Sequence, residues 1–244
     1  MEDKINTVYK VVQGLMGDIV PTKTVLIIVD MQKYQVKKEY AACKSLEKVA
    51  PGVMDYFVNE VEQKVVPNLQ KLLKFCHEAG IPVIYTKYSS FMPDGSDFSR
   101  NVKTLNQTTK NLVGEIGFPY ILDPNSDIID ELKPIYGDLI LQKNTSGAFI
   151  STRLDSFLRN MGVETVLVSG VVTNFCVHST AREAVDYGFQ TIIVEDCCAA
   201  WSEEIHSSIL KSFGLIYGYI LPYEKIIRKI SRIKKKLVKE LATH

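Results

Sequence analysis

Three seven-residue runs constrain this chain's fold more than any other feature: "TVLIIVD" (24–30), "TVLVSGV" (165–171) and "QTIIVED" (190–196). Each is rich in β-branched residues and lacks the apolar–polar alternation of a half-wet strand. A run without alternation belongs to a strand covered on both faces, the condition of a parallel sheet. "IPVIYTKY" (81–88) and "GDLILQK" (137–143) fit the same role.

Helical patterns lie between these runs. Residues 55–79 repeat Val61, Val65, Leu69, Leu72 and Phe75 at helical spacing, and Gly80 ends the pattern. Residues 151–161 place Leu154, Phe157 and Leu158 on one face, with Gly162 as a stop. Residues 175–187 run into Gly188, and 202–213 open on "SEE" and stop at Gly214. Strand–helix alternation predicts a doubly wound α/β fold with right-handed crossovers. No repeat or Gly/Ser linker divides the 244 residues, so one domain is expected, with its core at about 22–215. Stretch 88–126 is the least regular, and a loop that long suggests a lid or substrate wall.

Charge excludes some functions. The net charge is +1, so no global field recruits nucleic acid. The basic residues concentrate in 223–241, where Ile226, Ile230, Ile233, Leu237 and Leu241 form an apolar row. Eight Lys/Arg against two Glu give that segment +6, which leaves −5 elsewhere. It reads as a docked helix with a solvated basic face, an oligomer contact or an anionic-surface ligand. No apolar stretch approaches the ~20 residues of a membrane span. The five cysteines (Cys43, Cys76, Cys176, Cys197 and Cys198) are odd in number and follow no secretory signal. Reduced thiols in a cytoplasmic protein are expected. The chain has no CxxC and four histidines, which argues against structural zinc.

Ligands of open parallel sheets bind beyond the carboxyl ends of the strands. Asp30 ends "IIVDMQ", Lys143 ends "LILQK", and Cys176 sits on the turn after "VLVSGV", where a helix begins. Taken singly, each has an ordinary structural reading: a cap, a solvated charge, a small core residue. Together they meet at one sheet edge. A helix N-terminus and a nearby ammonium both lower a thiol pKa. Lys143 would supply the ammonium, and Asp30 would accept the thiol proton and pass it to a leaving group. Turn amides can face a developing oxyanion.

The segments "LIIVDMQ", "K" before "SGAF", "VSGVVTNFCVHSTAREA" and "VEDCCAA…H" resemble the isochorismatase-like cysteine hydrolase superfamily over about residues 22–215. The resemblance implies an Asp–Lys–Cys triad at Asp30, Lys143 and Cys176, and a G-x-x-T-x-x-C turn at Gly170, Thr173 and Cys176. It implies a non-proline cis peptide between Val171 and Val172, which aims the amides of Val172 and Cys176 into an oxyanion hole. It also implies a six-stranded, mainly parallel core with helices on both faces, a small-molecule substrate, no cofactor, and a homo-oligomer (dimer or tetramer).

Within the superfamily, nicotinamidases hold a metal through a D-x-H segment and further histidines. Here that region has Asp94 and Asp97, and no histidine lies between residues 78 and 177. The metal site is expected to be absent, which disfavours nicotinamidase. A thiolate suits acyl transfer, so cleavage of an amide or ureido C–N bond is favoured over the vinyl ether hydrolysis of isochorismatases. A non-catalytic binding or scaffold descendant is the other class. Adjacency to the triad nominates Gln32, Tyr34, Tyr88, Phe149 and Phe175 as substrate contacts. Phe118 and Trp201 are left undecided. His178 points elsewhere on its helix, His206 reads as structural or intersubunit, and Cys197 and Cys198 read as packing thiols.

Overall fold

The computed structural model describes residues 2–241, with side chains from 3 to 236. Leu237 and Leu241 of the C-terminal apolar row lie outside the described side chains. Six strands form one sheet: β1 (Thr24–Val29), β2 (Val83–Tyr88), β3 (Leu139–Lys143), β4 (Thr165–Val171), β5 (Gln190–Ala199) and β6 (Tyr219–Leu221). Their order is β3-β2-β1-β4-β5-β6, and every pair is parallel. The chain winds outward from β1 to β3, then returns to lay β4 against β1. That reversal makes the carboxyl ends of β1 and β4 the topological switch point, where such sheets open a crevice.

The strands are wrapped by α1 (Glu2–Gly14), α2 (Lys33–Val36), α3 (Ala41–Val49), α4 (Asp55–Glu60), α5 (Val66–Ala79), α6 (Arg100–Val113), α7 (Leu154–Asn160), α8 (His178–Asp186), α9 (Glu203–Ile216) and α10 (Tyr223–Leu241). Successive strand residues point to opposite faces, and β1 shows the result. Leu26 and Ile28 pack with Phe57, Val61, Leu69, Leu72, Ile226 and Ile230. Val25, Ile27 and Val29 pack with Leu154, Leu158, Val177, Ala181 and Phe213. Every residue of β1, β2 and β4 is buried, which accounts for their unalternating apolar runs. β3 departs from that reading. It is an edge strand with one neighbour, and Ile140 is half exposed.

Other differences have local causes. Stretch 88–126 is irregular on either side of α6, which fills its middle and was not expected. Ser99 caps α6, its Oγ accepting from Val102 N at 3.4 Å, and Gly114 closes it at φ 84°. Its buried residues are Val102, Asn106 and Thr109, so two polar side chains hide the apolar period. The 55–79 pattern is helical throughout, but a π turn at Val61–Val65 separates α4 from α5. Helix α9 passes Gly214, where a Cβ would lie 2.5 Å from Tyr9 Cε2. That glycine permits contact with α1 and does not stop the helix. Helix α10 docks through fully buried Ile226 and Ile230 and turns its basic face outward. Among the described residues, no helix is long and apolar enough to cross a membrane.

Candidate active site

Asp30 follows β1 with φ 51°, a left-handed conformation that Asp tolerates better than most residues. Register fixes its neighbour, because Val29 lies opposite Thr86 on β2. The Thr86 hydroxyl donates to Asp30 Oδ1 at 2.6 Å. The Asp30 N–H points back to Thr86, 3.2 Å from both its carbonyl and its hydroxyl oxygen. Thr86 thus orients the carboxylate, a role not anticipated from sequence. Its signal was a threonine within "VIYTKY", the strand beside the one that leads into Asp30.

Lys143, the last residue of β3, places Nζ 2.7 Å from Asp30 Oδ2, and both side chains are fully buried. The ammonium also donates to the carbonyls of Thr145 (2.9 Å) and Ser146 (3.0 Å) and lies 4.4 Å from the Tyr88 ring centroid. Burial pulls its pKa down, but Asp30 and Cys176 push it up further, so it stays an ammonium. At 2.7 Å the two charges are in direct contact, and a carboxylate oxygen so paired keeps a further lone pair.

Cys176 stands in a π turn, Thr173–Val177, that leads into α8. Its thiol is buried close enough to Asp30 and Lys143 to feel both charges. Thr86 occupies Oδ1, so Oδ2 is the carboxylate oxygen left open to a proton. Burial pushes the thiol well up; Lys143 pulls it down, and Asp30 pushes it up again. The net direction is upward. This corrects the expectation that the ammonium and helix N-terminus dominate, because full burial penalises a thiolate more than they favour it. The resting sulfur is therefore a thiol near neutral pH.

Gly170 permits the juxtaposition of β1 and β4. It has φ 103°, and a Cβ there would fall 2.1 Å from the Val29 carbonyl oxygen. The peptide between Val171 and Val172 is cis, and the Val172 carbonyl accepts from the amides of Phe175 (2.9 Å) and Val177 (3.3 Å).

The nominated substrate contacts divide. Gln32 is fully buried, with Nε2 donating to Ser126 O (2.7 Å) and Oε1 accepting from Tyr88 N (2.7 Å). Both ends of its amide are engaged by backbone, so it acts as a strut. Phe149 is buried and stacked on Tyr187 at 5.1 Å, which makes it packing. Tyr34 donates to the Tyr88 carbonyl at 2.7 Å. Tyr34, Tyr88 and Phe98 gather edge-on around Phe118 at 5.6–6.1 Å, and half-exposed Phe175 lies 6.4 Å from Tyr88. An aromatic wall beside the triad therefore includes Phe118, which was undecided, and Phe98, which was missed. Trp201 is exposed.

Asp97 binds Ser90, the Phe91 amide and Asn144, and Asp94 binds the Ser96 amide. Among the described residues, no three His, Cys, Asp or Glu side chains converge as a metal site. His178 packs edge-on against Phe213. All five cysteines are free, and Cys197 and Cys198 are buried in opposite core clusters.

A six-stranded doubly wound sheet that buries an acid, an ammonium and a thiol beyond its carboxyl ends defines an α/β protein with a candidate active site at the strand ends. The chain belongs to the isochorismatase family, whose domain model matches residues 24–222. It is 28% identical to Nicotinamidase 3 of Arabidopsis thaliana over 82% of this chain and 96% of that one. It is 29% identical to the ureidoacrylate amidohydrolase RutB of Acinetobacter baylyi, covering 83% of this chain and 81% of the relative. A cysteine hydrolase crystal structure from Pseudomonas syringae pv. phaseolicola superposes with a TM-score of 0.73 at 26% identity, over 89% of this chain and 97% of that one.

Proposed function

We propose that the chain is a cysteine-dependent amidohydrolase that cleaves the C–N bond of a small amide or of a ureido or carbamoyl compound. The observation that carries this reading is the buried contact of Asp30, Lys143 and Cys176 at the switch point. The amidohydrolase names of the relatives support the bond type.

As the Cys176 sulfur attacks the carbonyl carbon, the thiol proton passes to Asp30 Oδ2. The amides of Val172 and Cys176 receive the oxyanion. Collapse of the tetrahedral species breaks the C–N bond, and Asp30 returns the proton to the leaving nitrogen. Ammonia or an amine departs from a thioester on Cys176. Asp30 then removes a proton from water as it attacks the thioester. The C–S bond breaks, and the sulfur recovers the proton from Asp30 as the acid leaves. Lys143 is the counter-ion of Asp30 between these steps and steadies negative charge on sulfur. Phe118 and Phe175, the two rings of the aromatic cluster around Tyr88 that reach the surface, favour a substrate with a flat or apolar flank.

The test is ammonia release from a panel of linear amides, ureido acids, carbamoyl compounds and nicotinamide. Turnover of at least one, abolished in Cys176→Ala, is expected. Undiminished turnover in that variant would refute the mechanism.

A further inference from the structure

We propose that His206 is a positioning residue for the nucleophile, holding through the Thr173 hydroxyl the turn that presents Cys176. This rests on Cys176 being the nucleophile.

His206 lies in the first turn of α9, whose start is fixed by Ser202 Oγ accepting from Ile205 N at 3.2 Å. Its ring is buried, and Nδ1 is 2.9 Å from Thr173 Oγ1 on another element. The ring also hydrogen-bonds the Glu195 backbone. With Nδ1 engaged by Thr173, that second bond falls to Nε2, which donates to the carbonyl. This sets the tautomer, so Nδ1 carries the lone pair and the Thr173 hydroxyl donates to it. Burial holds the imidazole below its usual range; Glu203 and Glu60 oppose that and Lys64 reinforces it, so the ring is neutral at pH 7.

Thr173 is fully buried and stands three residues before Cys176. Its carbonyl accepts from the His178 amide, two residues beyond Cys176. The turn is therefore tied on both sides of the nucleophile, by the hydroxyl to α9 and by the carbonyl to α8. Freeing the hydroxyl releases the side chain from its rotamer and lets the turn shift. A displacement of about 1 Å at a reacting group costs on the order of 10²-fold in rate.

The test is steady-state kinetics on an amide the wild type turns over, with a melting curve for every variant. His206→Asn keeps an acceptor near the Nδ1 position. His206→Gln reaches the Nε2 position and withdraws that acceptor. Thr173→Ser keeps the hydroxyl, and Thr173→Val removes it. We expect kcat to fall roughly 10- to 100-fold in His206→Gln and Thr173→Val, with KM within about twofold. His206→Asn and Thr173→Ser should stay near wild type, and the Thr173→Val/His206→Gln double variant should be no slower than either single one. Should Thr173→Val fail to fold, the Asn–Gln contrast at 206 decides alone. Equal kcat in His206→Asn and His206→Gln, or losses that merely follow melting temperature, would overturn the positioning role and leave the amidohydrolase reading intact. A wild type with no Cys176-dependent turnover would overturn both.

Discussion

Lys143 Nζ lies 2.7 Å from Asp30 Oδ2, and neither side chain has any exposed surface. Two charges taken so far out of water hold only as a pair. Lys143→Met should leave a buried carboxylate without its counter-ion and lower stability by about 3–5 kcal/mol. The Asp30→Asn/Lys143→Met double variant, with neither charge, should recover much of that loss while remaining inactive. Urea denaturation of the three proteins checks this, and a double variant no more stable than Lys143→Met would contradict it.

Thr86 donates to Oδ1 of the Asp30 carboxylate, the oxygen that Lys143 does not contact. A hydrogen bond to a charged group is worth about 1.5–3 kcal/mol, so Thr86→Val should lower kcat roughly 10- to 150-fold. Thr86→Ser retains the hydroxyl and should stay within a few-fold of wild type. Equal losses in both variants would show that the methyl group, not the hydroxyl, matters.

Gly170 faces the Val29 carbonyl oxygen in a conformation that side chains rarely adopt. Gly170→Ala should cost about 4 kcal/mol or more, because the nearest atom is backbone of the neighbouring central strand. A thermal melt suffices, and an unchanged midpoint would contradict the close approach of β1 and β4.

The buried thiols make stability fall in alkali. Burial pushes Cys43 and Cys76 up to about 12, and pushes Cys176 well above its ordinary value. An unfolded thiol loses its proton near pH ~8.5. Between about pH 9 and 11 the unfolded chain therefore binds fewer protons than the folded one, and unfolding free energy declines as pH rises. Lys143 acts in the same direction above its unfolded pKa, since its folded value is raised. Each fully titrating thiol contributes a slope of about −1.4 kcal/mol per pH unit. Urea midpoints at pH 8 and pH 10.5 measure the effect; equal midpoints would contradict it. Alkylation of Cys176 by iodoacetamide should likewise be slow at pH 7.

The strands were legible because both-face burial writes itself as unalternating apolar sequence, and β1, β2 and β4 are buried throughout. Asp30, Lys143 and Cys176 were legible because strand ends at a switch point are where reactive groups collect. Helix α6 was hidden because Asn106 and Thr109 face inward, where a periodic pattern needs apolar residues. The work of Thr86 was hidden because threonine also reads as an ordinary strand former. The partners of Gln32 and Phe149 were hidden because adjacency in sequence does not say which side chains are already engaged in the fold. The direction of the Cys176 pKa depends on burial depth, a sum over the whole tertiary structure that no local motif encodes.

The central claim is that Cys176 carries the acyl group while Asp30 moves its proton. Mass spectrometry of enzyme acid-quenched during turnover of an amide substrate tests it most directly. An added mass equal to the acyl portion is expected on the peptide containing Cys176, absent in Cys176→Ala and accumulating in wild type wherever deacylation is slow. Turnover by Cys176→Ala at the wild-type rate, or an acyl adduct on any other residue, would contradict it.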